Sequence, residues 1–228
     1  MLTNFYIWVL LWTYFSFGPD TPNAPGCSKY YPMEEGINFE ITVYDQNNNP
    51  NALLAYNVVL TNENTAVFMT ELQNPEGELI AISEYGMSCN GDGVEIDFNA
   101  MMSAELIKQC DGKPMKMRGK NIHLPNNLEI GQKLPDAQME TSSSVKNDSL
   151  NLSIKMINRK VEGMDTLITS VGTFKCVIVS YETEFKSGGN KIHYSKEWLA
   201  EGVGLVKSEE YDADGKLISR SMLTDFHK

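Results

Sequence analysis

The chain has 228 residues, of which 42% are hydrophobic and 21% charged, values ordinary for a folded globular protein. This length suits one large all-β domain or two small ones. The net charge of −11 argues against a nucleic-acid partner, because phosphate binding requires clustered Lys and Arg. The one short basic stretch, residues 113–120, is typical of a solvated strand face.

The N-terminal residues 1–18 predict a signal peptide. Residues 5–17 are almost entirely apolar, a length that fits the hydrophobic region of a signal peptide and is short for a membrane span. Residues 1–19 lack Lys and Arg and an A-x-A cleavage site, so an anchor lying on the membrane or a buried strand are alternatives. Residues 19–26 are rich in Pro and Gly and predict a tether, and residues 27–228 predict a single domain without a membrane span.

Four cysteines follow the predicted signal peptide: Cys27, Cys89, Cys110 and Cys176. In an oxidising compartment an even number permits two disulfides in three pairings, and we expect at least one bridge. Cys176 lies in an apolar run and is also typical of a buried, unpaired thiol. Lipid attachment at Cys27 is a minor alternative. The lack of any C-x-x-C pattern argues against a thioredoxin-like motif and a zinc knuckle.

Alternating apolar and polar residues, separated by turns rich in Asn, Gly and Pro, predict a succession of antiparallel strands. The predicted strands are residues 38–44, 53–60, 66–72, 79–85, 94–98, 115–124, 139–144, 150–161, 167–171, 174–185 and 192–199. Their spacing of about a dozen residues is typical of a barrel or a sandwich.

One helix is predicted within this series, at residues 100–109, with Asn99 as its cap. Met101, Met102, Leu106 and Ile107 share one of its faces. We expect this face to plug the concave side of the sheet and to contact an apolar ligand, although ordinary core packing is the alternative.

The C-terminal residues 198–226 predict a hairpin with a tight turn at Asp214-Gly215. A two-residue loop there places Tyr211 opposite Ile218, Glu209 opposite Arg220 and Val206 opposite Leu223, pairs that stabilise antiparallel strands. Residues 74–80 echo residues 212–218, which indicates a shared turn conformation rather than a duplicated domain.

No catalytic, cofactor-binding or metal-binding residues are predicted. The histidines His123, His193 and His227 do not form any metal-ligand spacing, and residues 90–101 and 212–223 lack the final Glu of a calcium loop. The chain lacks a nucleophile elbow and a phosphate-binding loop. An enzyme remains an alternative, which a polar cleft containing at least three of His123, His193, Asp92 and Asp97 would support.

Several segments resemble the TapB family of exported bacterial proteins. They are residues 198–207, 210–212 with 215–217, 223–224, 172–176, 124–128 and 27–32 with Gly36, and together they extend over most of the chain after residue 26. The resemblance implies a periplasmic or outer-envelope domain of unknown function, without catalytic residues to transfer. It also implies a likeness to the curved half-barrel of the lipoprotein carriers LolA and LolB.

We therefore expect a mainly β fold, a single strongly curved antiparallel sheet (half-barrel or open barrel) with one short α-helix. The expected function is a non-enzymatic binding module for a lipid or another apolar ligand, exported to the periplasm or outer envelope of a Gram-negative bacterium. The alternative is a structural or protein-interaction domain that binds another envelope protein. No cofactor is expected.

Overall fold

The computed structural model describes residues 27–101, 116–145, 148–186 and 189–228. These ranges contain thirteen β-strands and one short 3₁₀ turn, Phe98–Met101. The strands are β1 (Asn38–Asp45), β2 (Pro50–Asn62), β3 (Thr65–Gln73), β4 (Leu79–Cys89), β5 (Gly93–Ile96), β6 (Lys116–Lys120), β7 (Ile122–Pro125), β8 (Ala137–Val145), β9 (Asp148–Ile168), β10 (Thr173–Lys186), β11 (Asn190–Ala200), β12 (Gly204–Tyr211) and β13 (Leu217–His227).

All thirteen strands belong to one antiparallel sheet, as the alternation predicts, in the order β6-β8-β9-β10-β11-β12-β13-β1-β2-β3-β4-β5-β7. The two edge strands, β6 and β7, are separated by a single residue, Asn121. The two edges of the sheet are therefore brought together by one short segment, and the sheet forms a nearly closed barrel. The expectation of a single curved antiparallel sheet is confirmed, and of its two expected forms the sheet is closer to an open barrel than to a half-barrel.

The 3₁₀ turn Phe98–Met101 lies at the junction of the two edges. The amide of Phe98 donates a hydrogen bond to Oδ1 of Asn121 at 3.2 Å. The Phe98 ring also lies against Gly119, where a Cβ atom would be 2.7 Å from the ring and 2.2 Å from the Gln138 carbonyl oxygen. Only glycine leaves room for β6, β8 and the Phe98 ring to pack this closely.

The predicted helix at residues 100–109 is not supported by the described residues. Asn99 lies inside the 3₁₀ turn instead of capping an α-helix, and the turn ends at Met101. The rest of the predicted helix, together with residues 1–26, lies outside the described residues. Within the described residues the fold is mainly β, and its one helical element is this 3₁₀ turn.

Two strand boundaries differ from the expectation. Residues 115–124 were expected to form one strand, but the chain divides into β6 and β7 at Asn121 and changes sheet edge there. Residues 150–161 were expected to continue past Gly163 into residues 167–171, and residues 148–168 do form the single strand β9, with Gly163 paired to Ile178, but the strand ends at Ile168. A glycine in extended conformation thus did not end this strand.

Three hairpin loops, between β1 and β2, β3 and β4, and β12 and β13, share one conformation. They begin at Asp45, Asn74 and Asp212, whose side-chain Oδ1 accepts hydrogen bonds from the amides two and four residues later. The fourth residue of each loop has a positive φ, which Asn and Gly tolerate; these residues are Asn48 (67°), Gly77 (84°) and Gly215 (77°). The similarity of residues 74–80 and 212–218 therefore reflects turn conformation.

The register of the C-terminal hairpin follows the prediction except next to the turn. Glu209 pairs with Arg220 as expected, but a bulge at Glu210 and Tyr211 places Tyr211 opposite Leu217 instead of Ile218. The loop has five residues rather than two, because the Asp212 amide donates to the Lys216 carbonyl. Val206 and Leu223 are both completely buried in the core.

One end of the barrel is closed by apolar packing and by residues 27–36. Completely buried side chains from several strands, including Val58, Phe68 and Val94, form the main core there, together with Tyr30 of the N-terminal segment. A disulfide between Cys27 and Cys89 ties this segment to the end of β4. At the opposite end, which we call the hairpin end, the chain passes from β1 to β2, β3 to β4, β8 to β9, β10 to β11 and β12 to β13.

Candidate functional site: a chamber inside the barrel

The barrel interior contains a cavity of about 490 Å³, which we call the chamber. It extends from the main core toward the hairpin end. Much of its wall is apolar; these residues are Phe39, Ile41, Val43, Leu54, Ile96, Met101, Ile122, Leu124, Ile154, Met156, Val179, Phe185, Leu199 and Leu205. The volume falls within the range of small-molecule binding sites, about 300–1,000 Å³.

The wall also contains charged and phenolic side chains, which we call the inner polar cluster: Arg159, Tyr181, Glu197, Tyr31, Tyr56 and Tyr85. All six line the chamber, and five of them come from β2, β4, β9, β10 and β11, whereas Tyr31 comes from the N-terminal segment. Polar groups enclosed by a low-dielectric interior interact more strongly than groups in water. The cluster is therefore the candidate recognition surface of the chamber.

Tyr181 and Glu197 form the best-defined pair of the cluster. The Tyr181 hydroxyl donates to Oε1 of Glu197 at 2.6 Å. Burial raises the pKa of the Glu197 carboxyl, although the hydrogen bond from Tyr181 and the charge of Arg159 act in the opposite direction. Burial, followed by the nearby Glu197 charge, raises the pKa of Tyr181 well above its usual value. Tyr181 therefore remains a neutral hydrogen-bond donor.

Arg159 points into the barrel because of an irregularity in β9. Its neighbour Asn158 has a φ of 54°, and the pairing of β9 with β10 shifts between Ser180 and Glu182 at this point. Buried residues before the bulge occupy even positions, Ile154 and Met156, whereas Arg159 itself is odd and buried. The bulge thus turns an arginine inward that a regular strand would present to solvent.

The Arg159 side chain is only 4% exposed and incompletely satisfied. Nη1 donates to the carbonyl oxygens of His123 and Pro135 at 3.1 and 2.6 Å. Within the described residues, Nε lacks a hydrogen-bond partner. Burial lowers the pKa of the guanidinium, and the Glu197 carboxylate is the largest opposing influence. A buried arginine with an unused donor is able to bind an anion.

Three tyrosines of the inner polar cluster, Tyr31, Tyr56 and Tyr85, also line the chamber. Tyr56 stacks on Phe39 with ring centroids 4.5 Å apart, and Tyr85 stacks on Phe68 at 5.3 Å. Burial raises the pKa of Tyr56 to about 12 and also raises that of Tyr31. The pKa of Tyr85 is raised by burial and further by the neighbouring Tyr56 and Tyr31 hydroxyls, so the three phenols lie close together.

Toward the hairpin end, His193 and Glu210 form a second interior contact. His193 Nδ1 lies 2.7 Å from Oε1 of Glu210, and Ser219 Oγ donates to Oε2 of the same carboxylate at 3.2 Å. The His193 ring also packs beside Phe185 at a centroid distance of 5.0 Å. The polar groups of Glu210 are thus satisfied within the protein.

A second cavity of about 590 Å³ lies on the outside of the barrel, between residues 131–136 and strands β9 to β12. Its charged groups neutralise one another, because Glu162 forms ion pairs with Lys160 at 3.2 Å and with Lys196 at 2.9 Å. Arg159 and Tyr181 line both cavities. We regard the chamber as the better candidate site because its wall is largely apolar and lies inside the barrel, whereas the outer cavity is lined by charged groups that pair with one another.

Sequence comparison places the chain in a family. The description "DUF3108-like" matches residues 34–223, which include all of the strands except the end of β13. The chain belongs to the DUF3108-like family. The match does not confirm the TapB name that the sequence resemblance suggested. No curated protein matches the sequence.

Two solved structures share the fold of this DUF3108-like chain. A Bacteroides fragilis protein described as exported, with a YmcC-like fold, has a TM-score of 0.76 and 21% identity, and the match covers 89% of this chain and 100% of that one. A Parabacteroides distasonis protein described as a lipoprotein has a TM-score of 0.75 and 20% identity, with coverages of 88% and 99%. At these identities the likeness shows the fold alone.

The predicted residues of the helical plug are only partly described. Met101 lines the chamber and packs against the core, whereas Met102, Leu106 and Ile107 lie outside the described residues. Among the cysteines, Cys27 and Cys89 form the disulfide and Cys176 is buried and unpaired. Burial raises the pKa of the Cys176 thiol to about 11. Cys110 lies outside the described residues.

The residues that would have indicated an enzyme do not meet in one cleft. His123 lies 3.0 Å from Glu95 and 3.8 Å from Asp92, whereas His193 contacts Glu210 inside the barrel. Across the described ranges, no group of three or more His, Cys, Asp and Glu residues has the geometry of a metal site. Nor do those ranges contain a helix long and apolar enough to cross a membrane.

The inner polar cluster was not predicted from the sequence, although a signal for Arg159 was present. The apolar positions Leu152, Ile154 and Met156 are even, whereas Val161 is odd. This change of phase, with Asn158 between the two sets, predicts a bulge that also turns Arg159 inward. The inward position of Tyr181 and Glu197 was less evident, because their strands were predicted without an assignment of which face is buried.

Proposed function

We propose that this chain is an exported, non-enzymatic binding protein that encloses an apolar or amphipathic small molecule in its chamber. The observation that carries the proposal is the cavity of about 490 Å³ inside the barrel, with a largely apolar wall and a few converging polar groups. Sites of this kind commonly bind hydrophobic ligands in the interiors of β-barrels.

The chamber exists because small side chains occupy part of the inner surface. Thr70, Ser83, Ser208, Ser219 and Ser221 line it at positions where a closed barrel core would need large apolar residues. Protein interiors are close-packed, so small residues at adjoining inward positions leave a space that another molecule can fill. The apolar wall then favours a ligand with a hydrocarbon part.

Export is supported by three features. Residues 1–18 resemble a signal peptide, and the Cys27–Cys89 disulfide is typical of an oxidising compartment. The two structural relatives are described as an exported protein and a lipoprotein. We place the chain in the periplasm or the outer envelope.

The test begins with the full chain purified from cells in exported form. Denaturation and organic extraction, followed by mass spectrometry, should release a lipid or another apolar molecule in near-stoichiometric amount. The stripped protein should then bind the fluorescent probe N-phenyl-1-naphthylamine. A protein that carries no such molecule and does not bind the probe would contradict the proposal.

Two neighbouring substitutions on β4 provide a matched comparison. Ser83 lines the chamber, whereas Ile82 is 60% exposed on the outer face. Ser83→Trp should fill the chamber and reduce probe binding at least roughly 10-fold, and Ile82→Trp should leave it unchanged, because adjacent strand residues point to opposite faces. Equal binding of the probe by the two variants would show that the probe binds outside the chamber.

A further inference from the structure

We propose that the chamber selects a single-chain amphiphile with a carboxylate head, and that Arg159 receives this head. This inference rests on the proposed function and specifies its ligand class. The alkyl chain lies along the apolar wall formed by β1 and β2, and the carboxylate lies in the inner polar cluster.

The first argument is the satisfaction of Arg159. Its guanidinium is 4% exposed, lines the chamber and has an unpartnered Nε within the described part of the chain. Both of its protein hydrogen bonds use Nη1 and go to neutral carbonyl oxygens. Burying a cation that lacks a directly bonded anion is unfavourable, and an incoming carboxylate supplies the missing charge and acceptors.

The second argument is the bulge that creates this arrangement. A non-glycine residue with positive φ is energetically disfavoured, and Asn158 adopts a φ of 54°. The outcome is an inward arginine in a strand whose other inward residues before the bulge are apolar, Leu152, Ile154 and Met156. Bulges that re-aim one side chain into a cavity are typical of binding sites.

The third argument concerns the charge of the head group. Glu197 lies in the same cluster and interacts electrostatically with Arg159. Among the described residues that line the chamber, Arg159 is the one cation, and the carboxylates of Glu84, Glu209 and Glu210 line it besides Glu197. Glu209 pairs with Lys207 and Glu210 contacts His193, each at 2.7 Å. A carboxylate head brings one negative charge to Arg159, whereas a dianionic phosphate brings a second charge for which the chamber wall has no cation. The neutral phenols of Tyr31, Tyr56 and Tyr85, around the same volume, supply hydrogen-bond donors for carboxylate oxygens.

The test compares four ligands of equal chain length on the stripped, full-length protein at roughly pH 8, where a carboxylate is ionised. They are hexadecanoate, hexadecanol, hexadecylamine and hexadecyl phosphate, each displacing N-phenyl-1-naphthylamine. Hexadecanoate should bind at least about 10-fold more tightly than hexadecanol and the amine, as expected for a charge-assisted hydrogen bond, and more tightly than the phosphate.

The outcomes separate this inference from the proposed function. Equal affinity for hexadecanoate and hexadecanol, or preference for the amine, would overturn the carboxylate inference while leaving an apolar binding protein. A preference for hexadecyl phosphate would overturn the assignment of a carboxylate as the head group. Failure of all four ligands and of the probe would instead contradict the proposed function itself.

Variants test Arg159 as the receiving group. Arg159→Met should lose the preference for hexadecanoate over hexadecanol, and Arg159→Lys should retain most of it, because a cation remains. Arg118 is the matched control: its side chain is 84% exposed and pairs with Glu140, so Arg118→Met should keep the wild-type preference. If Arg159→Met does not fold, the four ligands are compared on the wild type and on Arg159→Lys. A wild-type protein that does not prefer hexadecanoate over hexadecanol overturns the inference.

Discussion

Arg159 of β9 donates a hydrogen bond from Nη1 to the carbonyl oxygen of His123 in β7 at 3.1 Å. This bond joins the two sides of the barrel at the seam, because β7 is one edge of the sheet and β9 belongs to the other half. The same guanidinium lines the chamber. Barrel closure and the proposed ligand recognition therefore meet in one side chain, and the predictions below test the stability of the surrounding structure.

The conformation of Asn158 can be tested by substitution. Asn158→Val should destabilise the protein by about 1–2 kcal/mol, because a β-branched residue is strongly disfavoured at a φ of 54°. Asn158→Gly should be close to neutral. Denaturant unfolding of both variants measures the difference. Asn57→Val, at an exposed position of β2, is the control and should have little effect on stability. Equal stability of Asn158→Val and Asn158→Gly would show that the bulge is unstrained.

The seam can be tested at Gly119. A Cβ atom there would lie 2.2 Å from the Gln138 carbonyl oxygen, so Gly119→Ala should destabilise the protein by about 1–3 kcal/mol. At Gly163 in β9, a Cβ would meet nothing within 4 Å, and Gly163→Ala should be neutral or slightly stabilising. Thermal unfolding of the two variants makes the comparison. Equal effects would mean that β6 and β8 do not pack as closely as described.

The disulfide between Cys27 and Cys89 closes a loop with a sequence separation of 62 residues. Replacing both cysteines with alanine should lower the free energy of unfolding by about 2–4 kcal/mol, mainly because the unfolded chain gains freedom. Guanidinium unfolding without reductant measures this loss. Reducing agent should destabilise the wild-type protein by a similar amount, and an unchanged wild-type midpoint under reduction would contradict the prediction.

The pH dependence of stability tests the environment of Glu197. Burial raises the pKa of Glu197 in the folded state, so the folded protein binds this proton more tightly than the unfolded chain. The contribution of Glu197 to stability is therefore most favourable below its unfolded pKa and declines as the pH rises through the folded value. Glu197→Gln removes this decline.

The measurement is denaturant unfolding of wild type and Glu197→Gln between roughly pH 4 and pH 8. The stability of the variant relative to wild type should increase with pH. The amide also changes the hydrogen bond with Tyr181, which shifts the stability of the variant at every pH, so the slope and not the absolute difference is the test. Glu76→Gln, in an exposed hairpin loop, is the control. A relative stability that stays constant or decreases would show that Glu197 is not held in a desolvated site.

Much of the strand pattern was predictable because one face of each strand is buried. In β3, for example, Ala66, Phe68, Thr70 and Leu72 are buried and alternate with less buried residues. Alternation of this kind is a local property that the sequence displays directly. The hairpin register was also largely predictable, and Glu209 opposite Arg220 is confirmed.

Closure of the barrel was not predictable in the same way, because it depends on which strands form the two edges of the sheet and on whether those edges come together. Met117 in β6 and Ile122 and Leu124 in β7 are out of phase, which is a local sign that the strand breaks between them. The phase change does not reveal that β6 pairs with β8 and β7 with β5. The chamber depends on the same long-range arrangement, because its polar residues come from five strands and the N-terminal segment.

The position of Tyr31 gives the disulfide a consequence beyond stability. Tyr31 belongs to the chamber wall, yet no strand carries it; the segment that holds it is attached to β4 through Cys27. In a reduced chain, hydrogen bonds such as those from the Lys29 amide to Asn126 and from the Gly202 amide to the Lys29 carbonyl must keep that segment in place without the covalent link. The proposed binding of an apolar ligand should therefore be weaker in the reduced chain than in the oxidised chain, because one wall of the chamber is then held without its covalent attachment.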